Sequence, residues 1–187
     1  MIDQISKLFV RGFSLPWFNI YHNGLYPGES KPLINNVLHI TLIENPGIAF
    51  GIDPGESLGD LILVITILTC IGFLAYLLFA RNANNKVRIS VALILGGAAG
   101  NLFDRIFYGY FYNYAPLFQG KVVDFLDIRF FRLFIFDNIQ VNYVFNFADL
   151  SVLSGVFTLI YFILTMKSRK KDKHLVPQVV EDREDDN

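Results

Sequence analysis

The stretch Phe145-Asn146-Phe147-Ala148-Asp149 lies near the start of the apolar run that decides the fold of this chain. From Val141 to Met166 the run has 26 residues and one formal charge, Asp149. Because about 20 apolar residues cross a bilayer as a helix, the run predicts a membrane span with a carboxylate near one end. An ionisable group costs roughly 2.5 kcal/mol or more at the bilayer centre, so its presence indicates a functional site with a partner nearby.

The composition is that of an integral membrane protein. Hydrophobic residues make up 53% of the 187, and the mean hydropathy is +0.41. The net charge of −1 argues against a nucleic-acid partner, because phosphate binding needs a basic face. The single cysteine allows no internal disulfide, and the three histidines are scattered without ligand spacing. We therefore expect neither a metal site nor another cofactor.

Two more apolar runs predict spans. Leu61 to Ala80 comprises 20 uncharged residues, and at about 1.5 Å per residue it matches the hydrocarbon thickness of a bilayer. The run from Ile89 to Phe103 is shorter, so its helix must continue toward Tyr108 to cross. Within that run, Gly96 and Gly100 form a small-xxx-small pair, which predicts close approach by a neighbouring helix.

Basic residues predict the orientation of these spans. The link 81–88 and the cluster 167–171 are both basic, which places them in the cytoplasm. The N-terminus would then lie outside with no preceding helix to translocate it, so we expect a first span upstream of Met1. The predicted organisation is one membrane domain, 1–187: a remnant of the first span (1–7), an extracytoplasmic β-rich segment (8–57), a span (58–80), a cytoplasmic loop (81–88), a span (89–108), an extracytoplasmic segment (109–140), a span (141–166) and a cytoplasmic tail (167–187).

The segment before the first complete span has the composition of an interfacial surface. Residues 8–57 mix aromatic side chains with Pro, Gly and Asn, and aromatic rings settle at headgroup level. Within this segment, Val37 to Ile43 is rich in β-branched residues and predicts a strand, followed by a turn at 45–47. A second short strand is expected over 48–52.

Asp149 has a candidate partner in Asp124, in the stretch Val122-Val123-Asp124-Phe125. Asn146 stands three residues before Asp149, from where its amide can orient the carboxylate. If the two aspartates meet in a partly dry cleft, like charges drive one pKa up and the pair shares a proton. Such a pair can hydrolyse an amide without a covalent intermediate. The residues alone equally allow a proton relay in a small transporter, or polar glue between the helices of a scaffold.

A second polar group lies near the end of the middle span. Asn101, Asp104 and Arg105 stand at i, i+3 and i+4, so a helix places them on one face. We expect Asp104 to be neutralised by Arg105 or by an arginine on a neighbouring segment, and to act as scaffolding. The alternative is that the three residues anchor a helix end at the membrane interface.

Taken together, the motifs resemble those of bacterial lipoprotein signal peptidases (signal peptidase II), which are aspartic proteases of the inner membrane. The motifs that carry the resemblance are Asp3-Gln4-Ile5-Ser6-Lys7, Asn45-Pro46-Gly47-Ile48-Ala49-Phe50, Gly96-Gly97-Ala98-Ala99-Gly100-Asn101-Leu102-Phe103-Asp104-Arg105, Val122-Val123-Asp124-Phe125 and Phe145-Asn146-Phe147-Ala148-Asp149. Each short motif alone is weak, but five in this order among the predicted spans are specific.

The resemblance implies a fold, a reaction and a set of site residues. The fold is a membrane helical bundle of four spans, the first truncated here, with a small β-rich subdomain outside the membrane. The reaction is endoproteolysis of a prolipoprotein just before a cysteine that carries diacylglyceryl, without a cofactor, at a site that faces the outer leaflet of the inner membrane. We also expect the protein to be a monomer whose partners are its prolipoprotein substrates and membrane lipids. By this resemblance Asp124 and Asp149 are the catalytic dyad, and the supporting residues are Asn45, Gly47, Asn101, Asp104, Arg105, Asn146 and Ala148.

Overall fold

The computed structural model describes residues 1–47, 55–129 and 143–175, which contain four α-helices and six β-strands joined by turns and loops. In chain order they are α1 (Ile2–Arg11), β1 (Gly12–Leu15), β2 (Ile20–Asn23), β3 (Ser30–Ile34), β4 (Leu38–Asn45), α2 (Gly55–Phe79), α3 (Asn85–Phe111), β5 (Val122–Ile128), β6 (Tyr143–Phe145) and α4 (Phe147–Leu175). A 3₁₀ turn, Pro16–Phe18, joins β1 to β2.

Three of the described helices are long and apolar enough to cross a membrane. The candidate spans are Leu58–Phe79, Asn85–Phe111 and Phe147–Met166, of 22, 27 and 20 residues. They correspond to the three complete spans predicted from the sequence, and many of their apolar side chains face outward, as lipid contact requires. The last helix begins at Phe147 rather than at 141, because the described residues just before it form β6. The additional span that the resemblance implies, before these three in the chain, stays a prediction.

Glycines let α3 and α4 pack closely. A Cβ on Gly97 would lie 2.7 Å from Cγ2 of Val152 on α4, and one on Gly155 would lie 2.7 Å from the Ser90 carbonyl oxygen on α3. A Cβ on Gly96 would meet nothing within 4 Å. The expected pair of Gly96 and Gly100 is therefore half right: a Cβ on Gly100 would lie 3.2 Å from Cβ of Ala148 on α4, whereas the contact expected of Gly96 is made by Gly97.

An antiparallel sheet in the order β3-β4-β5-β6 lies against the end of α3. The strand predicted over 37–43 is confirmed as β4, whereas the second strand, predicted over 48–52, falls outside the described residues. Four buried side chains form the core between sheet and helix, with Tyr108 of α3 packed on residues of β4 and β5. This packing places the end of β4 and the start of β5 beside the α3–α4 contact.

Candidate active site

Asn146 and Asp149 form a reciprocal cap at the start of α4. The Asp149 backbone N–H donates to Asn146 Oδ1 at 2.9 Å, and the Asn146 backbone N–H donates to Asp149 Oδ2 at 3.1 Å. This is the geometry of a capping box, in which each side chain satisfies a backbone donor that the first helical turn leaves unpaired. The three-residue spacing seen in the sequence therefore both starts the helix and fixes the Asp149 carboxylate.

Asp124 lies on β5, outside the candidate spans, and is 3% exposed. Its Oδ1 accepts from Asn146 Nδ2 at 2.7 Å, and its Oδ2 accepts from Asn45 Nδ2 at 3.0 Å. Asn45 reaches it because β4 and β5 are antiparallel, with Asn45 opposite Val122. The structure thus brings the two carboxylates predicted from the sequence to one residue, Asn146, whose side chain donates to Asp124 and whose backbone N–H donates to Asp149.

A second amide, that of Asn101 on α3, completes the link between the carboxylates. Asn101 Nδ2 donates to Asp149 Oδ1 at 2.7 Å, and Asn101 Oδ1 accepts from Asn146 Nδ2 at 3.1 Å. Both oxygens of Asp149 and both oxygens of Asp124 are therefore engaged by donors. This network holds the two carboxyl groups in fixed orientations.

The pKa of Asp124 is raised to about 7. Burial is the largest cause and the negative charge of Asp149 adds to it, whereas hydrogen bonds from Asn45 and Asn146 and the charge of Lys7 act in the opposite direction. A carboxyl with such a pKa is present in both protonation states near neutral pH. The arrangement can therefore hold a proton on one carboxyl beside a second carboxylate, as acid–base chemistry on an amide requires.

Gly47 and Arg105 lie at the edge of this network. The Gly47 N–H donates to Asn45 Oδ1 at 2.9 Å, which turns the Asn45 amide nitrogen toward Asp124. Gly47 has φ of 138°, a conformation that favours glycine. A Cβ there would lie 3.9 Å from Arg105 Nη2, and the Arg105 guanidinium interacts electrostatically with both Asp124 and Asp149.

Lys7 on α1 supports the site from the side of α1 and α3, although it was not among the site residues predicted from the sequence. Lys7 is 0% exposed, and its Nζ contacts Asp3 Oδ2 at 2.8 Å, Asp104 Oδ2 at 2.7 Å and Asn101 Oδ1 at 2.9 Å. Lys7 is thus the ion-pair partner of Asp104, where an arginine had been expected, and Arg105 interacts with Asp104 only electrostatically. The only sequence feature that pointed to Lys7 was the motif at residues 3–7, and it did so only as part of the family resemblance.

The same cluster holds the backbone of both segments that carry the aspartates. Asp3 Oδ1 accepts from the Ala148 N–H at 2.9 Å, and Asp104 Oδ2 accepts from the Val123 N–H at 3.2 Å. Gln4 Nε2 donates to Asp104 Oδ1 at 2.7 Å. Ala148, predicted as a supporting residue, thus contributes its backbone N–H, and Asp104 supports the site without touching either aspartate of the pair.

Comparisons with known proteins agree over most of the chain. The sequence model of the signal peptidase (SPase) II family matches residues 1–165. The lipoprotein signal peptidase of Moorella thermoacetica is 34% identical over 163 residues, covering 87% of this chain and 85% of that protein. The lipoprotein signal peptidase of Halothermothrix orenii is 39% identical over 163 residues, covering 87% of this chain and 88% of that protein. A bacterial membrane enzyme solved by the in meso method at 2.3 Å resolution has a TM-score of 0.63 and 26% identity, covering 99% of this chain and 88% of that one.

Proposed function

Because the chain belongs to the signal peptidase II family, we propose that Asp124 and Asp149 form the acid–base pair with which it removes signal peptides from prolipoproteins. One observation carries this assignment. The Asn146 side chain donates to Asp124 while its backbone N–H donates to Asp149, so two carboxyl groups 25 positions apart in the sequence meet at one residue.

In the proposed reaction, Asp124 carries the shared proton and Asp149 is the base. Ionised Asp149 takes a proton from water, whose oxygen adds to the scissile carbonyl carbon. Protonated Asp124 polarises the carbonyl oxygen and then supplies the proton that the leaving nitrogen needs as the C–N bond breaks. The high pKa of Asp124 supports this division of roles. Asn45, Asn101 and Asn146 keep both carboxyls oriented throughout.

The charge distribution supports an extracytoplasmic site in a bacterial inner membrane. The basic link 81–88 joins α2 to α3 at the end of α3 far from Asn101. The basic residues 167–171 stand in the last part of α4, whereas Asp149 is in its first turn. Positive residues favour the cytoplasmic side, so the aspartates lie toward the other face.

A site at that level suits a substrate that stays in the membrane. A cysteine carrying diacylglyceryl, as the family resemblance implies, would hold the scissile bond at the bilayer surface and reach the enzyme by lateral diffusion. Its acyl chains would supply binding energy remote from the reacting bond. The outward-facing apolar side chains of α2 and α4 provide a lipid-contacting surface along which such a substrate moves.

The test is to make Asp124→Asn and Asp149→Asn singly in the full chain and measure cleavage of a diacylated prolipoprotein in liposomes. Asparagine preserves the shape of the side chain but neither takes nor gives the proton. We expect each variant to lose on the order of 10²- to 10⁴-fold in rate, the usual contribution of a general acid or base.

Asp127→Asn is the matched control. Asp127 lies on the same strand and is 1% exposed, but it bonds Thr41 and Arg129 rather than the pair. It should keep near wild-type activity. If Asp124→Asn or Asp149→Asn cleaves at near wild-type rate, the proposed roles are wrong. If both lose the folded state as judged by thermal unfolding, the two carboxyls act as structural glue instead.

A further inference from the structure

A β-hairpin without a single charge projects from the end of α1. Residues 12–28 contain no Asp, Glu, Lys or Arg and include five Phe, Trp or Tyr residues. β1 pairs with β2 in antiparallel register, from Gly12 opposite Asn23 to Leu15 opposite Ile20. The 3₁₀ turn at the tip leaves Trp17 97% exposed and Phe18 75% exposed. Adjacent bare aromatic rings at a loop tip mark an interaction surface.

The helix that leads into this hairpin, α1, buries charged residues and exposes apolar ones. The buried residues of α1 are Asp3 and Lys7, whereas Ile2 and Phe9 are 72% and 57% exposed. A helix in water places its charged residues outward and its apolar residues inward. The reversed arrangement indicates that the outer face of α1 contacts lipid, in line with the membrane-spanning helices beside it.

The apolar surface of α1 continues into the hairpin. The ring centroid of Phe9, on the exposed face of α1, lies 5.8 Å from that of Phe13 and 5.5 Å from that of His22. Phe13 belongs to β1 and His22 to β2, directly opposite each other. The lipid-facing side of the helix and the base of the hairpin therefore form one aromatic surface.

The base of the hairpin is fixed at the end of a candidate span. Tyr112, the first residue after α3, donates from its hydroxyl to the Gly12 carbonyl oxygen at 2.9 Å. The Leu25 N–H donates to the Val10 carbonyl oxygen at 2.7 Å, which returns the chain to α1. The hairpin thus leaves the protein at the membrane boundary, on the side where the two aspartates lie.

We propose that residues 12–23 are a membrane-interface anchor, whose tip residues Trp17 and Phe18 insert among the headgroups and upper acyl chains of the leaflet nearest the site. Three observations select lipid as the partner: the absence of charge, the continuity with the apolar face of α1, and the position of the base at a span end. Tryptophan and phenylalanine are side chains that such interfacial segments use.

Trp17 is the only tryptophan in the chain, so the unmodified protein reports on its own anchor. The full chain is reconstituted in liposomes of phosphatidylcholine and phosphatidylglycerol without substrate. We expect the emission of Trp17 to be blue-shifted relative to free tryptophan in water. Lipids brominated near the headgroup should quench it strongly, whereas iodide on both sides of the membrane should quench it weakly.

A double variant calibrates the depth. In Trp17→Phe with Phe157→Trp, the tryptophan moves to an exposed position in the middle of the α4 span. Bromines near the acyl-chain ends should quench this variant better than shallow bromines, the reverse of the pattern for the unmodified protein.

Strong iodide quenching of Trp17 with no quenching by brominated lipid would overturn the anchor, because the tip would then lie in water. Shielding from iodide that grows with the protein-to-lipid ratio, without quenching by brominated lipid, would also overturn it and would assign the tip to a second copy of the chain.

Discussion

Adjacent glycines on α3 should respond in opposite ways to the same substitution. In Gly97→Ala the new Cβ would lie 2.7 Å from Val152 Cγ2 and 3.0 Å from the Val152 backbone N, and it would overlap the Ala148 carbonyl oxygen. In Gly96→Ala the new Cβ would meet nothing within 4 Å. The two variants add the same methyl group one residue apart, so only its surroundings differ.

The structure sets the size of the effect. Carbon atoms in contact sit about 3.5–4.0 Å apart, so α4 must retreat from Gly97→Ala by about 1 Å. The Ala148 carbonyl belongs to the peptide bond that leads into Asp149, so the proposed base moves with it. A displacement of about 1 Å at reacting groups can cost roughly 10²-fold in rate, and overpacking typically costs about 1–3 kcal/mol of stability. Gly96→Ala should instead be neutral or gain up to about 1 kcal/mol from helix propensity.

The assay has two parts: single-turnover cleavage of a diacylated prolipoprotein in liposomes, and thermal unfolding of each purified variant in detergent. We expect Gly97→Ala to lose both rate and stability and Gly96→Ala to lose neither. The reasoning is refuted if the two variants are indistinguishable, or if Gly97→Ala cleaves as fast as the wild type. Either result would mean that the α3–α4 contact yields without moving the site.

Two further predictions concern ionisable groups. The pKa of Asp124 is raised to about 7, mainly by burial, so the cleavage rate should fall as pH rises through about 7 and the acid loses its proton. Because the pKa of an unfolded aspartate is about 3.9, the folded state binds an extra proton between these two pH values. Stability should therefore decline with rising pH in that range, and Asp124→Asn should remove this slope from melting curves. Lys7→Met leaves Asp3 and Asp104 buried without their cation and should cost about 3–5 kcal/mol in thermal unfolding. Adding Asp104→Asn should recover part of that loss, and an additive double variant would contradict the ion pair.

Features with a local signal were predictable from the sequence. Hydropathy over about 20 residues is enough to locate a span, and α2, α3 and α4 lie where the apolar runs predict them. The spacing of Asn146 and Asp149 likewise predicts their interaction, since a capping box joins the N-cap residue to the residue three positions later. Asp124 was identified as the partner of Asp149 from the family motifs, but the contact of its carboxylate with Asn146 depends on the register of β5, which has no local signal in the sequence.

Features that depend on rotation or on distant partners were not predictable. A small-xxx-small motif does not say which of two neighbouring glycines faces the other helix, because one residue turns the helix by about 100°. Gly96 and Gly100 were expected at the contact, and Gly97 and Gly100 are there. Lys7 meets Asn101 94 residues away, so nothing near either residue in the sequence indicates the contact. The adjacent Arg105 was the plausible ion-pair partner for Asp104 on local grounds, yet it interacts with Asp104 only electrostatically, and the ion pair is made by Lys7.

The buried charges of α1 and α3 hold the site by acting on its backbone. Asp3 accepts from the Ala148 N–H and Asp104 accepts from the Val123 N–H, and each of these donors belongs to the residue directly before one of the proposed catalytic aspartates. Lys7 contacts both acceptor carboxylates, so one ammonium ties the start of α4 to β5. Burying an ion cluster is costly relative to apolar packing, and apolar side chains could not hold two backbone donors at once. The cluster therefore contributes the spacing between the two segments, which the acid–base pair requires, in addition to any stability.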